Sequence, residues 1–254
     1  CVRALGSERV TGLWLPEKES KDEDRVLADL AARWLDVETI TRDITPQLDA
    51  LGAYDFVLSR IPGRKLKEVA VRLACRYFRD RGEDPFMTDR TGQANQVVRD
   101  AAAAIRCRHR VRMVTAYYEA EKRGLMLTGC ANRTERETGI YCRFGIDDCA
   151  DIMPLTGLYR TQVLKLADYL NVPETIRSRP PDPGIIPGAE DKYRFFTGMD
   201  SDTVDELLRA LDAGCQPSDA ARRAGVGIDQ ARYIQRLTEL ADRLRRRPLE
   251  PEVE

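Results

Sequence analysis

Apolar residues recur along this chain in two rhythms. Short runs rich in β-branched and aromatic residues, Arg9–Leu15 (RVTGLWL) and Val37–Thr41, read as strands of a buried parallel sheet. Pro16 ends the first. Between them Val26, Leu27, Leu30, Ala31 and Trp34 recur at helical spacing, which predicts a helix over Glu23–Leu35 with Asp22 or Ser20 as its cap. Strand, helix, strand in this order is a right-handed crossover unit. Such units bind nucleotides at their carboxyl edge.

Further on, Thr45–Tyr54 predicts a short helix. Lys65–Asp80 carries a helical stripe of Leu66, Val69, Ala70, Leu73, Ala74 and Phe78, and Asp84–Thr91 is loop-like. Gln93–Arg123 reads as one long helix, with room for a break near Ile105. Its Arg106, Arg108, Arg110 and Arg112 spread around a helix, so at most two share a face. That spacing favours a solvated or interface helix over one whose arginines reach a phosphate or carboxylate. Leu125–Leu127 reads as a buried strand, Asp151–Leu155 as a short one, Leu158–Leu170 as an amphipathic helix and Pro173–Arg177 as one more turn. Pro180, Pro181, Pro183 and Pro187, with Gly184 and Gly188, then forbid regular structure. A loop of that length is functional or disordered, and a lid is one functional form. Ser201–Leu211 and Ser218–Arg246 return to helix, and the basic run Arg243–Arg247 suits a helix C-terminus.

The pattern predicts an α/β fold: a doubly wound, Rossmann-like parallel sheet flanked by helices, with a C-terminal helical extension. The expected divisions are an α/β domain over 1–176, a mobile loop over 177–200 and the extension over 201–254.

The 254 residues suffice for one large domain with a buried core. Lys plus Arg (41) and Asp plus Glu (42) nearly cancel, so charge predicts no nucleic-acid or membrane partner. Seven cysteines without CxxC spacing argue for reduced thiols and the cytoplasm. One histidine, His109, gives little support to a Ser-His-Asp triad and none to a multi-histidine metal site.

Candidate chemistry concentrates in Thr128–Asp151. Gly129 lets the backbone turn after a strand, and Asn132, Arg133, Thr134 and Glu135 open a helical turn. A loop with Arg143, Gly145, Asp147, Asp148 and Asp151 follows. Carboxylates beside arginines at the carboxyl edge of a sheet suit a site that handles phosphate and Mg²⁺ together.

The chain resembles the NAD synthetases, of the N-type ATP pyrophosphatases, in several stretches that run in the family's order. RALGSERVTGLWLPEKESKDED is similar to the segment after the family's phosphate loop, RHRVRMVTAYY to its two-arginine helix, and TGCANRTE to its Gly-Thr-Gly-Asn-Lys-Ser-Glu turn. RFGIDDCADIMPLTGLYRTQVLKLADYLNVPETI resembles its Lys-Tyr-Gly-Asp-Gly loop, strand end and following helix, and RPPDPGIIPGAEDK sits at its second phosphate-contacting loop. Residues 55–89 look like an insertion relative to short bacterial forms. The resemblance implies that Mg-ATP adenylates the nicotinate carboxylate of deamido-NAD, that pyrophosphate leaves, and that ammonia displaces AMP. It implies ATP and Mg²⁺ as cofactors, a homodimer, and ammonia from solution or from a separate glutaminase.

By position, the resemblance implies that Glu135 binds Mg²⁺, that Arg160 contacts the ATP phosphates, and that Arg143 lies near the dinucleotide. Arg110, Arg112, Tyr117 and Asp151 are implied for the deamido-NAD pocket, across a dimer interface. Asp147 or Asp148 is the loop aspartate. Leu13, Leu15 and Pro16 line the adenine side. Cys130 replaces a threonine, Arg143 and Arg160 replace lysines, and Asp182 replaces a phosphate-contacting Ser or Thr, where a carboxylate repels triphosphate unless a metal or arginine intervenes. The family's first phosphate loop, Ser-Gly-Gly-x-Asp-Ser, would lie just before Cys1. It occurs nowhere in the chain, so the expectation is a sequence that starts late.

Three other readings are open. The site could adenylate a different carboxylate. Cys130, Cys142 and Cys149 could serve sulfur transfer, although buried filler is the simpler role. Ser218–Leu237 has a small-residue turn like a DNA-reading helix-turn-helix, in a chain that would then be a silent interaction or DNA-binding module; packing of a C-terminal helix pair is preferred.

Overall fold

The computed structural model describes residues 1–245. Strand β1 (Thr11–Trp14) and strand β2 (Glu38–Thr41) pair in parallel, Leu13 opposite Ile40 and Trp14 opposite Thr41. The ladder ends at Pro16, which has no N–H to donate; its carbonyl accepts the Ile44 N–H at 3.0 Å instead. A second parallel pairing is the single bridge Thr128–Ile152, beside which Ile152 accepts the Gly129 N–H at 2.8 Å.

Helices surround these strands: α1 (Val2–Leu5), α2 (Asp22–Leu35), α3 (Thr45–Ala50), α4 (Arg64–Asp80), α5 (Pro85–Arg90), α6 (Gln96–Arg123), α7 (Arg133–Thr138), α8 (Arg160–Tyr169), α9 (Glu174–Arg177), α10 (Lys192–Thr197), α11 (Ser201–Asp212), α12 (Pro217–Ala224) and α13 (Ile228–Arg245). The α/β class with parallel strands and flanking helices is the one the pattern predicts. Arg246 and Arg247, from the basic run assigned to a helix end, lie outside the described residues.

Several local expectations are corrected. The loop expected at Asp84–Thr91 contains α5: the Asp84 carboxylate accepts the Phe86 and Met87 N–H groups at 2.8 and 3.1 Å, and Pro85 stands in the first turn, where its missing N–H costs nothing. Neither Asp22 nor Ser20 caps α2. The N-cap is Lys21, whose N–H donates to Asp24 at 3.3 Å. Leu125–Leu127 and Asp151–Leu155 do not form strands beyond the one bridge, and Met126 is 65% exposed. Helix α6 runs unbroken past Ile105. The stripe of α4 is turned outward at Leu66, Val69 and Leu73, while Val71 is buried.

The largest apolar cluster lies in the C-terminal helices. Val204, Leu207 and Leu208 of α11, Ala220 and Ala221 of α12, and Ala231, Ile234 and Leu237 of α13 are all buried, with Tyr159 and Met199 packed among them. The alanines on either side of the turn, Ala220 and Ala221 of α12 and Ala231 of α13, are core contacts, which fits the preferred reading of a packed C-terminal helix pair. This bundle seats α7 and α8: Arg245 donates to the Arg136 carbonyl at 2.6 Å, and α11 touches both α7 and α8.

Candidate active site

The turn 129–135 is held by its own polar groups. Gly129 sits against Ala150, where a Cβ would lie 3.0 Å from the alanine Cβ. Asn132 caps α7 by accepting the Glu135 N–H at 3.0 Å, and Glu135 Oε2 accepts the Asn132 N–H at 2.8 Å. This reciprocal capping box needs only sequence-local groups. It fixes the backbone of the turn and leaves Glu135 Oε1 for another partner, the ammonium of Lys192. One residue on, Tyr193 is fully buried, and its hydroxyl meets the Asn132 side chain at 3.3–3.4 Å. Helix α10 is thus fastened to both members of the box.

Behind the turn stands Asp205 of α11, fully buried. It accepts from Thr134 Oγ1 at 2.5 Å and from the Thr161 N–H at 2.8 Å; Thr134 Oγ1 in turn accepts the Arg160 N–H at 2.9 Å. One carboxylate therefore joins α7, which carries Glu135, to the first turn of α8, which opens at Arg160. Both are felt by the Tyr193 hydroxyl, which burial and Glu135 push up and Arg160 pulls down.

A second group comes from α6 and the 143–148 loop. Gly145 packs on α6 so closely that a Cβ would lie 2.9 Å from the His109 Cβ. Contact follows between His109 Nδ1 and Asp147 at 2.9 Å. Burial works to raise the Asp147 carboxyl, but His109, with Lys192 and Arg112 nearby, holds it below the ordinary value. The Cys130 thiol is pushed up by desolvation and by Glu135 and Asp147, and burial raises the Cys142 thiol to about 11. Sulfur chemistry needs thiolates, so these two cysteines are poorly suited to it.

A third group lies beyond β1. Arg108, 1% exposed, sits 3.5 Å from Glu17 and 3.0 Å from Glu19; Lys67 also pairs with Glu19, and the Tyr54 hydroxyl donates to Glu17. Removing one member would strand a buried charge. The network pins the segment after Pro16 to α6 and α4. Of the four α6 arginines, Arg106 and Arg108 reach carboxylates, Asp89 and Glu17/Glu19, an outcome that spacing alone disfavoured.

The segment 179–192 is tied across the site by ion pairs: Arg179–Asp24, Lys21–Asp182, Arg72–Glu190 at 3.4 Å and Lys192–Glu135. Asp182 also accepts the Gly184 N–H at 2.7 Å. The partner of this carboxylate is Lys21, where a metal or an arginine was expected.

The structure sorts the sequence-derived residues into neighbourhoods. Glu135 and Lys192 are paired, Cys130 feels the charge of Glu135 and Asp147, Asp147 that of Lys192, and Tyr193 that of both Glu135 and Arg160. Arg110 donates to the Arg143 carbonyl at 3.3 Å, and the Arg143 guanidinium lies over Phe144 at 4.7 Å, so these two arginines form a pair of their own. Arg112 faces inward between Glu17 and Asp147, and burial lowers its guanidinium. Tyr117 and Asp151 meet at 3.5 Å, and Asp151 takes the Leu127 N–H at 2.7 Å. Asp147 meets His109 Nδ1 at 2.9 Å, whereas Asp148 is buried and accepts the Phe144 N–H at 2.9 Å. Leu13 is a ladder residue and Leu15 packs on the Ile44–Leu48 cluster.

Sequence reasoning missed Lys192, Tyr193, Asp205, and the Glu17 and Glu19 pair. Asp205 carried a signal, an acid between Val204 and Leu207 on the apolar face of an amphipathic helix. The others are brought in by segments distant in sequence.

Parallel strands with a polar turn at their carboxyl end, braced by buried carboxylates, define an α/β protein whose ligand site lies at the sheet edge. Comparison with known proteins specifies the family. The NAD synthase family profile matches residues 84–248. The NH(3)-dependent NAD(+) synthetase of Coprothermobacter proteolyticus is 36% identical over 245 residues, 93% of this chain and 82% of the relative; that of Thermotoga neapolitana is 39% identical over 222 residues, 86% and 74%. Among solved structures, an NMN synthetase from Francisella tularensis superposes with a TM-score of 0.67 at 21% identity, over 98% of this chain and 82% of that one. An NH3-dependent NAD synthetase from Campylobacter jejuni gives 0.62 at 19%, over 99% and 81%. This chain belongs to the NAD synthase family. No helix among the described residues is long and apolar enough to cross a membrane.

Proposed function

We propose that this protein is an ATP-dependent carbon–nitrogen ligase that converts deamido-NAD to NAD with ammonia. The observation that carries this reading is the 36–39% identity to NH(3)-dependent NAD(+) synthetases across more than four-fifths of the chain. The site's geometry supports it. A carboxylate is a poor acyl donor because oxide is its leaving group, and adenylation supplies a better one. The protein's part is then positioning and charge neutralisation, which the Glu135–Arg160–Lys192 neighbourhood is built to do.

In this reading Arg160, fixed through Thr134, neutralises phosphate charge. Asp147, held ionised beside His109, orients the groups that face it. Arg110, Arg143, Tyr117 and Asp151 take the dinucleotide, and Leu13, Leu15 and Pro16 the adenine side. Cys130 and Asp182 border the nucleotide. Mg²⁺ held by one or two carboxylates plus substrate phosphates needs no protein cage; Glu135 Oε1 fits as such a ligand once Lys192 leaves it. The metal, when bound, neutralises charge on the triphosphate.

Pyrophosphate release by the full-length protein is expected to require ATP and deamido-NAD together, and to continue beyond one equivalent per site only when ammonia is also present. Stimulation by nicotinate mononucleotide instead of deamido-NAD would assign the site to another carboxylate. We further propose a cytoplasmic homodimer fed by free ammonia or by a separate glutaminase, and the divisions 1–176, 177–200 and 201–254, with 55–89 as an insertion; of the 177–200 segment, expected to be a mobile loop throughout, residues 192–197 instead form α10, anchored by buried Tyr193, which leaves the stretch before it as the mobile part.

A further inference from the structure

Glu135 has two carboxylate oxygens and both are in use. Oε2 is committed to the cap of α7. Oε1 is the one that could meet a cation, and the Lys192 ammonium already holds it, only 21% of the lysine side chain being exposed. An ammonium and a divalent ion cannot share that oxygen at ligand distance. Two like charges about 4 Å apart repel by several kcal/mol at the effective dielectric of a protein surface. When a metal-bound polyphosphate arrives, Lys192 must go elsewhere.

The structure limits where it can go. The backbone of α10 is fixed: Asp191 caps it by accepting the Tyr193 and Arg194 N–H groups at 2.9 and 3.1 Å, and Tyr193 is buried against Asn132. Only the flexible side chain is free to move. The other carboxylate in range, Asp147, whose proton affinity Lys192 already lowers, is engaged by His109. A phosphate oxygen beside the metal is the remaining acceptor.

We propose that Lys192 is a polyphosphate-binding residue parked on Glu135. It stands in for the cation while the site is empty and moves to a phosphate oxygen when a metal–triphosphate enters. The role rests on the nucleotide reading above and adds to it: residues 178–198 then report polyphosphate through one lysine, and the Lys192–Glu135 pair keeps a lone carboxylate from standing uncompensated.

The test uses the full-length protein with three probes: Mg²⁺ with β,γ-imido-ATP, adenosine, and Mn²⁺ alone followed by paramagnetic resonance. Lys192→Met is expected to weaken Mg–imido-ATP about tenfold, the worth of one charge-assisted hydrogen bond. It should leave adenosine within about twofold, and should tighten Mn²⁺ alone at least about threefold by removing its competitor. Lys192→Arg should restore most of the triphosphate affinity, and Glu135→Gln should abolish Mn²⁺ binding, leaving the spectrum of the free aqueous ion. Equal loss of adenosine and imido-ATP in Lys192→Met, an unchanged imido-ATP affinity, or Mn²⁺ binding no tighter than in the wild type overturns the proposal and leaves the nucleotide reading intact. Failure of the wild-type protein to bind Mg–imido-ATP at all overturns the nucleotide reading, and this proposal with it.

Discussion

Thr134 shows how much one residue can carry. Its hydroxyl is fully buried, donates to Asp205 and accepts from the Arg160 backbone. Thr134→Val keeps the shape and removes both bonds, so Asp205 loses one of its two recorded hydrogen-bond donors. A loss of about 2–4 kcal/mol in urea unfolding is expected, with Thr134→Ser recovering most of it. Equal stability of the valine variant would show that the buried network contributes nothing. At this scale the sequence exposed some roles and hid others. Asn132 and Glu135 were legible because a capping box is written in four consecutive residues. Lys192 was not, because its partner lies 57 residues away. His109, set aside as unable to form a triad, is instead the neighbour that keeps Asp147 ionised.

Elements follow their boundary chemistry more than their apolar periodicity. The cap of α11 is Asp200, which accepts the Thr203 N–H at 3.0 Å; that bond holds its carboxyl below the usual 3.8. A depressed carboxyl stabilises fully above its unfolded value, and the contribution is lost as pH falls through the lower native one. Asp200→Ala is therefore expected to cost about 1 kcal/mol at pH 7. The gap to wild type should close toward pH 2 in denaturant titrations. A gap independent of pH would mean that the carboxylate is not the capping group. Gly129→Ala tests the other kind of boundary. Its Cβ would press on Ala150 and Met153, and a cost of about 1–3 kcal/mol is expected. Helix α5 went unread because a cap and a proline open it without any apolar stripe, and the strands near 126 and 153 were over-read because apolar runs there are exposed.

For the whole molecule, the C-terminal helices are a structural support of the site. Asp205 and Arg245 brace α7 from α11 and α13, so damage to the bundle core should reach the turn at Glu135. The proposed homodimer draws on the outer face of α6, where Val114 and Tyr118 are 61% and 59% exposed. Large apolar side chains clustered on an exposed helix face mark an interaction surface. The double variant Val114→Lys, Tyr118→Lys is expected to elute as a monomer in light-scattering chromatography where the wild type is a dimer. An unchanged mass would place the interface elsewhere.

The sequence by itself determined what depends on near neighbours: the parallel class of the fold, the capped turn at Asn132–Glu135, and the helices whose caps and stripes lie within a few residues. It also placed the chemistry around residues 128–160. Tertiary structure decided which charges face one another. Arg160 is set by Thr134 and Asp205, Asp182 is neutralised by Lys21, and Asp147 is paired with His109. Local order is fixed by short-range hydrogen bonds and helical period. Pairings across a hundred residues are fixed only when packing brings the segments together, because either partner alone would satisfy its charge equally well in water.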